Sequence, residues 1–286
     1  MSTREEPREN TYMVSTESGA EMARLIDQDL AITNTMGLFP KDLELHEGDQ
    51  ILDVACGPGG WARNVATQYP HAEVVGVDIS QTMISYANAY VQAQKMGNID
   101  FQIMDVTKPW SFADASFDIV NGRTMVGFLN EGKWQHVIAE MLRVLVPGGT
   151  IILTEPDDTG HTTSPAFESF TRHLFSAAKL NGLSHHPFGY HFGLTPKLGY
   201  FLKEAGCEQI QQEAHVIDFS TGAPAHRAIV DDLKVGYKLV QAYIVRNKVV
   251  TQEEIDNIYE RLLDEWESPE FRALWYFLRI WGKKPA

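Results

Sequence analysis

The stretch Ile51-Leu52-Asp53-Val54-Ala55-Cys56-Gly57-Pro58-Gly59-Gly60-Trp61-Ala62 decides how this chain is read. An apolar run of strand type leads into a glycine-rich turn and then into a helical pattern. Glycines let the backbone turn tightly and let a ligand come close to it. The helix start that follows would present unpaired N–H groups to an anionic group such as a carboxylate. Gly57, Gly59 and Ala62 also fit the looser dinucleotide pattern G-x-G-x-x-A, with Asp78 following at a suitable distance. Asp53 speaks against that cradle, because an ionised carboxylate inside a buried strand needs partners.

Working outward, Val74-Val75-Gly76-Val77-Asp78-Ile79-Ser80 places an acid at the carboxyl end of a second apolar run. Such an acid can accept both hydroxyls of a ribose. Its competing role is to cap the helix that follows, but Ser80 can do that, which favours the ribose. Met104-Asp105-Val106 repeats the arrangement at the next run. There the carboxylate is suited to an adenine amino group, or else to a turn. Phe117-Asp118-Ile119-Val120-Asn121-Gly122-Arg123 is a fourth run, and Pro147-Gly148-Gly149-Thr150 is read as ending a helix and turning tightly into a fifth.

Strand patterns at 50–55, 73–78, 99–104, 117–121 and 150–154 alternate with helical ones at 60–69, 81–96 and 133–145. Alternating βαβ units predict a parallel sheet with helices on both faces. A helix over 18–36 precedes them, opened by a capping-box pattern at Ser18 and Glu21. After Thr154 come a helix from Ser164-Pro165, a helix capped by Thr195, a long strand over 208–219 and two more helices. The apolar tail 271–281 fits strand or helix. No linker or repeat interrupts the chain, so one domain is expected: 1–47 a helical lid, 48–156 a binding core, 157–206 an acceptor-site cap and helix, 207–286 the last strands with a helical insertion.

The 286 residues carry 24 Lys and Arg against 38 Asp and Glu, a net charge of −14. That surface repels phosphate backbones, so nucleic acid and anionic membrane are poor partners and a small molecule or a protein is a better one. No apolar run is long enough to span a membrane, and the polar start Met1-Ser2-Thr3-Arg4 has no signal-peptide core. With only Cys56 and Cys207, a reducing, cytoplasmic setting is expected. The aromatic C-terminal segment is a candidate homodimer surface.

Taken together, LDVACGPGG, GVDIS, the acid of MDV and RVLVPGGTIILTEP resemble the class I S-adenosylmethionine-dependent methyltransferases, over roughly 48–156. The likeness is greatest to small-molecule enzymes of the ubiquinone and menaquinone-biosynthesis type. The resemblance implies an α/β fold: a Rossmann-like, doubly wound, seven-stranded and mostly parallel sheet with an antiparallel last strand, and helical insertions forming a cap. It implies S-adenosyl-L-methionine as cofactor and S-adenosyl-L-homocysteine as product. Gly57 and Gly59 would then line the methionine part, with Asp53 supporting that loop or reaching the amino group. Asp78 would hold the ribose, Ile79 the adenine face, and Asp105 and Val106 the adenine edge. Asn121 would offer its backbone carbonyl near the amino group. Met83, together with Tyr12 and Gln28 from a closing N-terminal helix, completes the expected contacts. Two departures stand out: Ala55 replaces a frequent glycine, and Phe128 stands where a histidine often follows Arg123.

Methyl transfer is an in-line displacement that chiefly needs alignment; a base is needed only for a poorly acidic acceptor. Six aromatics, Phe167, Phe170, Phe175, Phe188, Tyr190 and Phe192, point to an apolar or planar acceptor beyond the fifth strand, or to a cap packing its own core. His186 and His191 are the preferred general bases, with Asp157 and Asp158 as alternatives. The spacing of His185, His186 and His191 matches no metal-ligand pattern. Two other readings remain: an NAD(P)-dependent oxidoreductase, and an S-adenosylmethionine-binding protein without catalysis.

Overall fold

Ile51, Leu52 and Val54 are solvent-free on one short strand, yet they serve two different cores. Side chains alternate across a strand, so Ile51 joins Ile119 and Ile152 on one face while Leu52 and Val54 join Val120, Ile151 and Leu153 on the other. A strand apolar on both faces must be covered on both, and here it is. The computed structural model describes Met13, Val14 and residues 18–286.

The strands are β1 Gln50–Val54, β2 Glu73–Asp78, β3 Ile99–Ile103, β4 Phe117–Arg123, β5 Leu145–Pro156, β6 His161–Thr162, β7 Glu208–Asp218 and β8 Ala273–Lys283. The helices are α1 Gly19–Met36, α2 Gly60–Gln68, α3 Gln81–Gln94, α4 Glu131–Val144, α5 Pro165–Leu180, α6 Thr195–Glu204, α7 His226–Arg246 and α8 Gln252–Trp266. The sheet order is β3-β2-β1-β4-β5-β8, with β7 on the outer edge of β8. Strands β1 to β5 run parallel, and β8 runs antiparallel to both β5 and β7. Seven long strands are joined by the two-residue β6, which pairs with the start of β8 on the edge that β5 uses farther along. The fold is the Rossmann-like one that the sequence leads one to expect. Strand order reverses between β1 and β4, which opens a crevice at their carboxyl ends.

The α2 and α3 residues Trp61, Val65, Ile84 and Ala87 cover one face. The other is covered by α4, through Trp134, Val137 and Met141, and by the layer of α5, α7 and α8, in which the Phe170 and Tyr237 rings stack 4.3 Å apart. The C-terminal tail is strand, not helix. As β8 it lies between two neighbours, with Trp275 and Phe277 buried by the chain itself. Leu274 and Tyr276 on the same strand stay exposed, and α7 and α8 lie between the last two strands.

Local chemistry accounts for most boundaries. Ser18, Ser80, Ser164 and Thr251 each accept an N–H from the first turn of the helix they open, and Thr251 with Glu254 forms a full capping box. Two expectations need correction. Thr195 does not cap α6; the N–H groups of Leu194 and Thr195 donate to Asp157 Oδ1 at 2.7 and 3.2 Å. Nor does Pro147-Gly148-Gly149 end a helix. The chain leaves α4 at Leu145 directly into extended backbone, and the triplet makes a bulge inside β5.

Candidate active site

A cleft of about 1140 Å³, open to solvent, lies beyond the carboxyl ends of β1, β2 and β4. Its wall brings together Asp53, Asp78 and Asp105 from three strand exits, with the Ala55–Pro58 turn between them. The turn depends on unusual backbone. Ala55, Gly57 and Gly59 all have positive φ, at 55°, 54° and 78°. Ala55 thus holds a conformation in which glycine is unstrained.

Asp78 is held ready at the exit of β2. Its Oδ2 accepts Gly57 N–H and its Oδ1 accepts Ser80 N–H, both at 2.9 Å. Ser80 Oγ meanwhile caps α3, through Met83 N–H at 3.2 Å. Asp105 Oδ1 accepts from both Thr107 N–H and its hydroxyl, at 3.0 and 2.7 Å, which makes it a turn aspartate that also faces the cleft. Ile79, Met83, Met104 and Val106 supply apolar wall beside these acids.

Asp53 is 3% exposed. Burial pushes its carboxyl up to about 7, against the lowering effect of Asn121, whose amide donates to Asp53 Oδ1 at 2.8 Å. Asn121 itself does not line the cleft. It sits inside the sheet, in register with Asp53 and Ile152, where its side-chain amide orients Asp53. Gly59 does not line the cleft either: a Cβ there would lie 2.4 Å from the Phe101 ring, so its bareness serves packing of the loop on β3. Tyr12 lies outside the described residues, whereas Gln28 lines the cleft.

Helix α1 closes one side. Asp29 pairs with Arg123, whose Nη1 also donates to Thr33 Oγ1 at 3.2 Å. Gly60 permits this approach, since a Cβ on it would stand 2.3 Å from Asp29 Oδ2. Trp61 lines the cleft but is chiefly an anchor: it is 1% exposed, and its indole N–H donates to Leu38 O at 3.1 Å. Below Arg123, Glu155 accepts Met125 and Val126 N–H at 2.9 and 3.1 Å, and its burial pushes the carboxyl up to about 8. Sequence reading missed Asp29, Arg123 and Glu155 as site builders. The one signal for the α1 approach was the second glycine of Gly59-Gly60.

A second cleft, of about 810 Å³, adjoins the first and shares Leu25, Gln28 and Thr124 with it. Pro156, Asp158 and Thr159 after β5, Phe192, Trp275 of β8 and Leu233 and Tyr237 of α7 form much of its wall. Arg24, held by Glu21 at 2.7 Å and Asp232 at 2.8 Å, closes one end, with Gln28 donating to the other Asp232 oxygen. His186 and His191 line neither cleft. His191 Nδ1 lies 2.6 Å from Asp157, and His186 Nδ1 accepts from Phe188 N–H in a loop. Both are committed to that loop's own structure. Of the six aromatics only Phe192 lines a cleft; Phe167, Phe170 and Phe175 are core, while Phe188 and Tyr190 are exposed.

A family model described as a methyltransferase domain matches residues 51–149. Phosphoethanolamine N-methyltransferase 3 of Arabidopsis thaliana is 27% identical over 181 residues, covering 63% of this chain and 33% of that protein. A demethylmenaquinone methyltransferase of Lactococcus lactis subsp. lactis is 32% identical over 122 residues, covering 42% of this chain and 46% of its own length. The chain thus spans a third to about a half of these curated relatives. Among solved structures, phosphoethanolamine N-methyltransferase 2 of Haemonchus contortus, in complex with S-adenosyl-L-methionine, shares the fold: TM-score 0.54 at 20% identity, over 94% of this chain and 57% of that one. No described helix is long and apolar enough to cross a membrane.

Proposed function

We propose, from the premise that residues 51–149 form a class I S-adenosylmethionine-dependent methyltransferase domain, that this protein methylates a small, largely apolar acceptor. The observation that carries the reading is the convergence of Asp53, Asp78 and Asp105 on one cleft around a glycine turn. The residues fit S-adenosylmethionine. Asp78, prepositioned by Gly57 and Ser80, takes the ribose hydroxyls. Asp105 and Val106 take the adenine edge, and Ile79 and Met83 its face. Asp53 is a buried acid held near neutrality; an ammonium beside it would restore its charge, and Asn121 keeps it aimed.

Bound there, the cofactor supplies a methyl group activated by a positively charged sulfur. The chain's task is then to align and to exclude water. Gln28 and Asp29 of α1 cover the first cleft, and Leu25, Gln28 and Thr124 form the boundary with the second, where the acceptor is seated. Both cysteines are free thiols, which supports a reducing, cytoplasmic setting.

Titration calorimetry with S-adenosylhomocysteine tests this. Asp78→Ala is expected to weaken binding about 10- to 100-fold, the value of hydrogen bonds to a charged group. Unchanged affinity removes the ribose assignment. NAD(P) found by mass spectrometry in freshly purified protein would replace the methyl-transfer reading with the oxidoreductase one.

A further inference from the structure

Among the described residues, the second cleft holds two carboxylates, Asp158 and Asp232, with different partners. Asp232 gives one oxygen to Arg24 at 2.8 Å and the other to Gln28 at 3.2 Å. Burial raises the Asp232 carboxyl while Arg24 and Gln28 oppose the rise, and each of its oxygens already accepts from one of those side chains. Asp158 instead has Oδ2 2.9 Å from His161 Nε2. The Asp158 side chain is 15% exposed and that of His161 is 68% exposed, so the pair runs from the cleft wall to solvent.

This turn is braced from two sides. Gly160 N–H donates to Asp158 Oδ1 at 2.8 Å, and the Trp275 indole N–H donates to the Asp158 carbonyl at 2.9 Å. The Thr159 and Tyr237 hydroxyls meet at 2.7 Å, tying the next residue to α7. The wall around Asp158 is otherwise mainly apolar and partly aromatic, with Phe192, Trp275, Tyr237 and Leu233. Burial raises the Asp158 carboxyl above the ordinary carboxylate range, as does Asp157, while His161 and His191 oppose the rise. A base that retains some proton affinity is more effective than a fully stabilised anion. Among the described residues, the other ionisable groups across the cleft are Tyr237 and Asp232 of α7 and Arg24 of α1.

We propose that Asp158 is the catalytic base for a phenolic acceptor seated in the second cleft, and that His161 carries the proton on to water. The inference rests on the methyl-transfer reading. The acceptor oxygen's lone pair forms the new O–CH3 bond as the methyl–sulfur bond breaks and its electron pair stays on sulfur. The phenolic proton moves to the Asp158 carboxylate and leaves for solvent by way of the imidazole of His161. The charge therefore balances: a positive sulfonium and a neutral phenol give a neutral thioether, a neutral ether and one proton.

Two probes test it: 2-naphthol, a neutral phenol, and 4-nitrophenol, largely ionised at about pH 8.5. With 2-naphthol, Asp158→Asn is expected to lose about 100-fold or more in kcat/KM and to lose the acidic limb of its pH profile. With 4-nitrophenol the same variant stays within about threefold of wild type, because no proton remains to be removed. His161→Gln loses less with 2-naphthol, and added imidazole restores it. Equal losses on both phenols would make Asp158 merely structural, and no loss on either would remove it from the chemistry. Wild-type protein that binds S-adenosylhomocysteine but methylates neither phenol overturns the acceptor class, and with it the proposal. Failure to bind S-adenosylhomocysteine overturns the methyl-transfer reading itself, a separate result from the same calorimetry.

Discussion

The two clefts share a boundary but are built in opposite ways. The first takes Asp53, Ala55, Gly57, Asp78, Ile79 and Asp105 from successive strand exits within about a fifth of the chain. The second takes Arg24 from α1, Asp158 from the end of β5, Phe192 from a loop, Tyr237 from α7 and Trp275 from β8. One is local and written in motifs. The other is assembled by long-range packing and held by buried charge, so perturbing each should have a different signature.

The largest expected effect lies in the first cleft. Asp53 is held at about 7 when folded, against about 4 in an unfolded chain. Between those values the folded state keeps a proton that the unfolded state has shed. Ligand-free stability should therefore fall as pH rises from about 4 to about 7, by up to about 4 kcal/mol. Asp53→Asn should flatten that fall in urea titrations and exceed wild type in stability near pH 8. A variant with the wild-type pH slope would show that the carboxyl is not the source. Glu155, held at about 8 by burial, acts in the same direction and leaves a residual slope.

The next effect lies in the second cleft. Asp232→Leu takes one carboxylate away from the buried Arg24 guanidinium. Breaking a buried pair from one side costs about 3 kcal/mol, which lowers Tm by about 6–12 °C. Affinity for S-adenosylhomocysteine should fall by less than about tenfold, since Asp232 reaches the first cleft only through its hydrogen bond from Gln28. A large loss of affinity with no change in Tm would mean that the two regions are not separable in this way.

The smallest lies in the turn. Ala55 holds φ 55°, where an L-residue is strained by about 1–2 kcal/mol. Ala55→Gly relieves that strain but frees the unfolded chain, for a net gain of about 0.5–1 kcal/mol. A Tm rise of about 1–3 °C in a thermal scan is expected. A fall in Tm would mean that the Ala55 methyl contributes packing that outweighs its strain.

What sequence made legible follows the same division. The alternation from β1 to β5, the Ser80 cap of α3 and the acids at three strand exits all follow from local patterns. What local pattern leaves out appears where a residue's contacts depend on a distant partner. Asn121 was expected to present its backbone carbonyl, and no local signal showed that its side chain bonds Asp53, because sheet register sets it beside β1. His186 and His191 were attractive as loop histidines, yet their loop turns them to Asp157 and to neighbouring backbone. Arg24 and Asp232 are 208 positions apart, and no spacing rule pairs them.

The amino-acid order alone determined the doubly wound sheet, its glycine turn and the acids at its strand exits, because periodicity, capping and turn chemistry act over a few residues. Only the tertiary structure decided which helix covers the crevice, which aspartate faces the second cleft and which is tied to arginine. Those outcomes depend on burial and charge pairing between segments that meet only when the chain is folded.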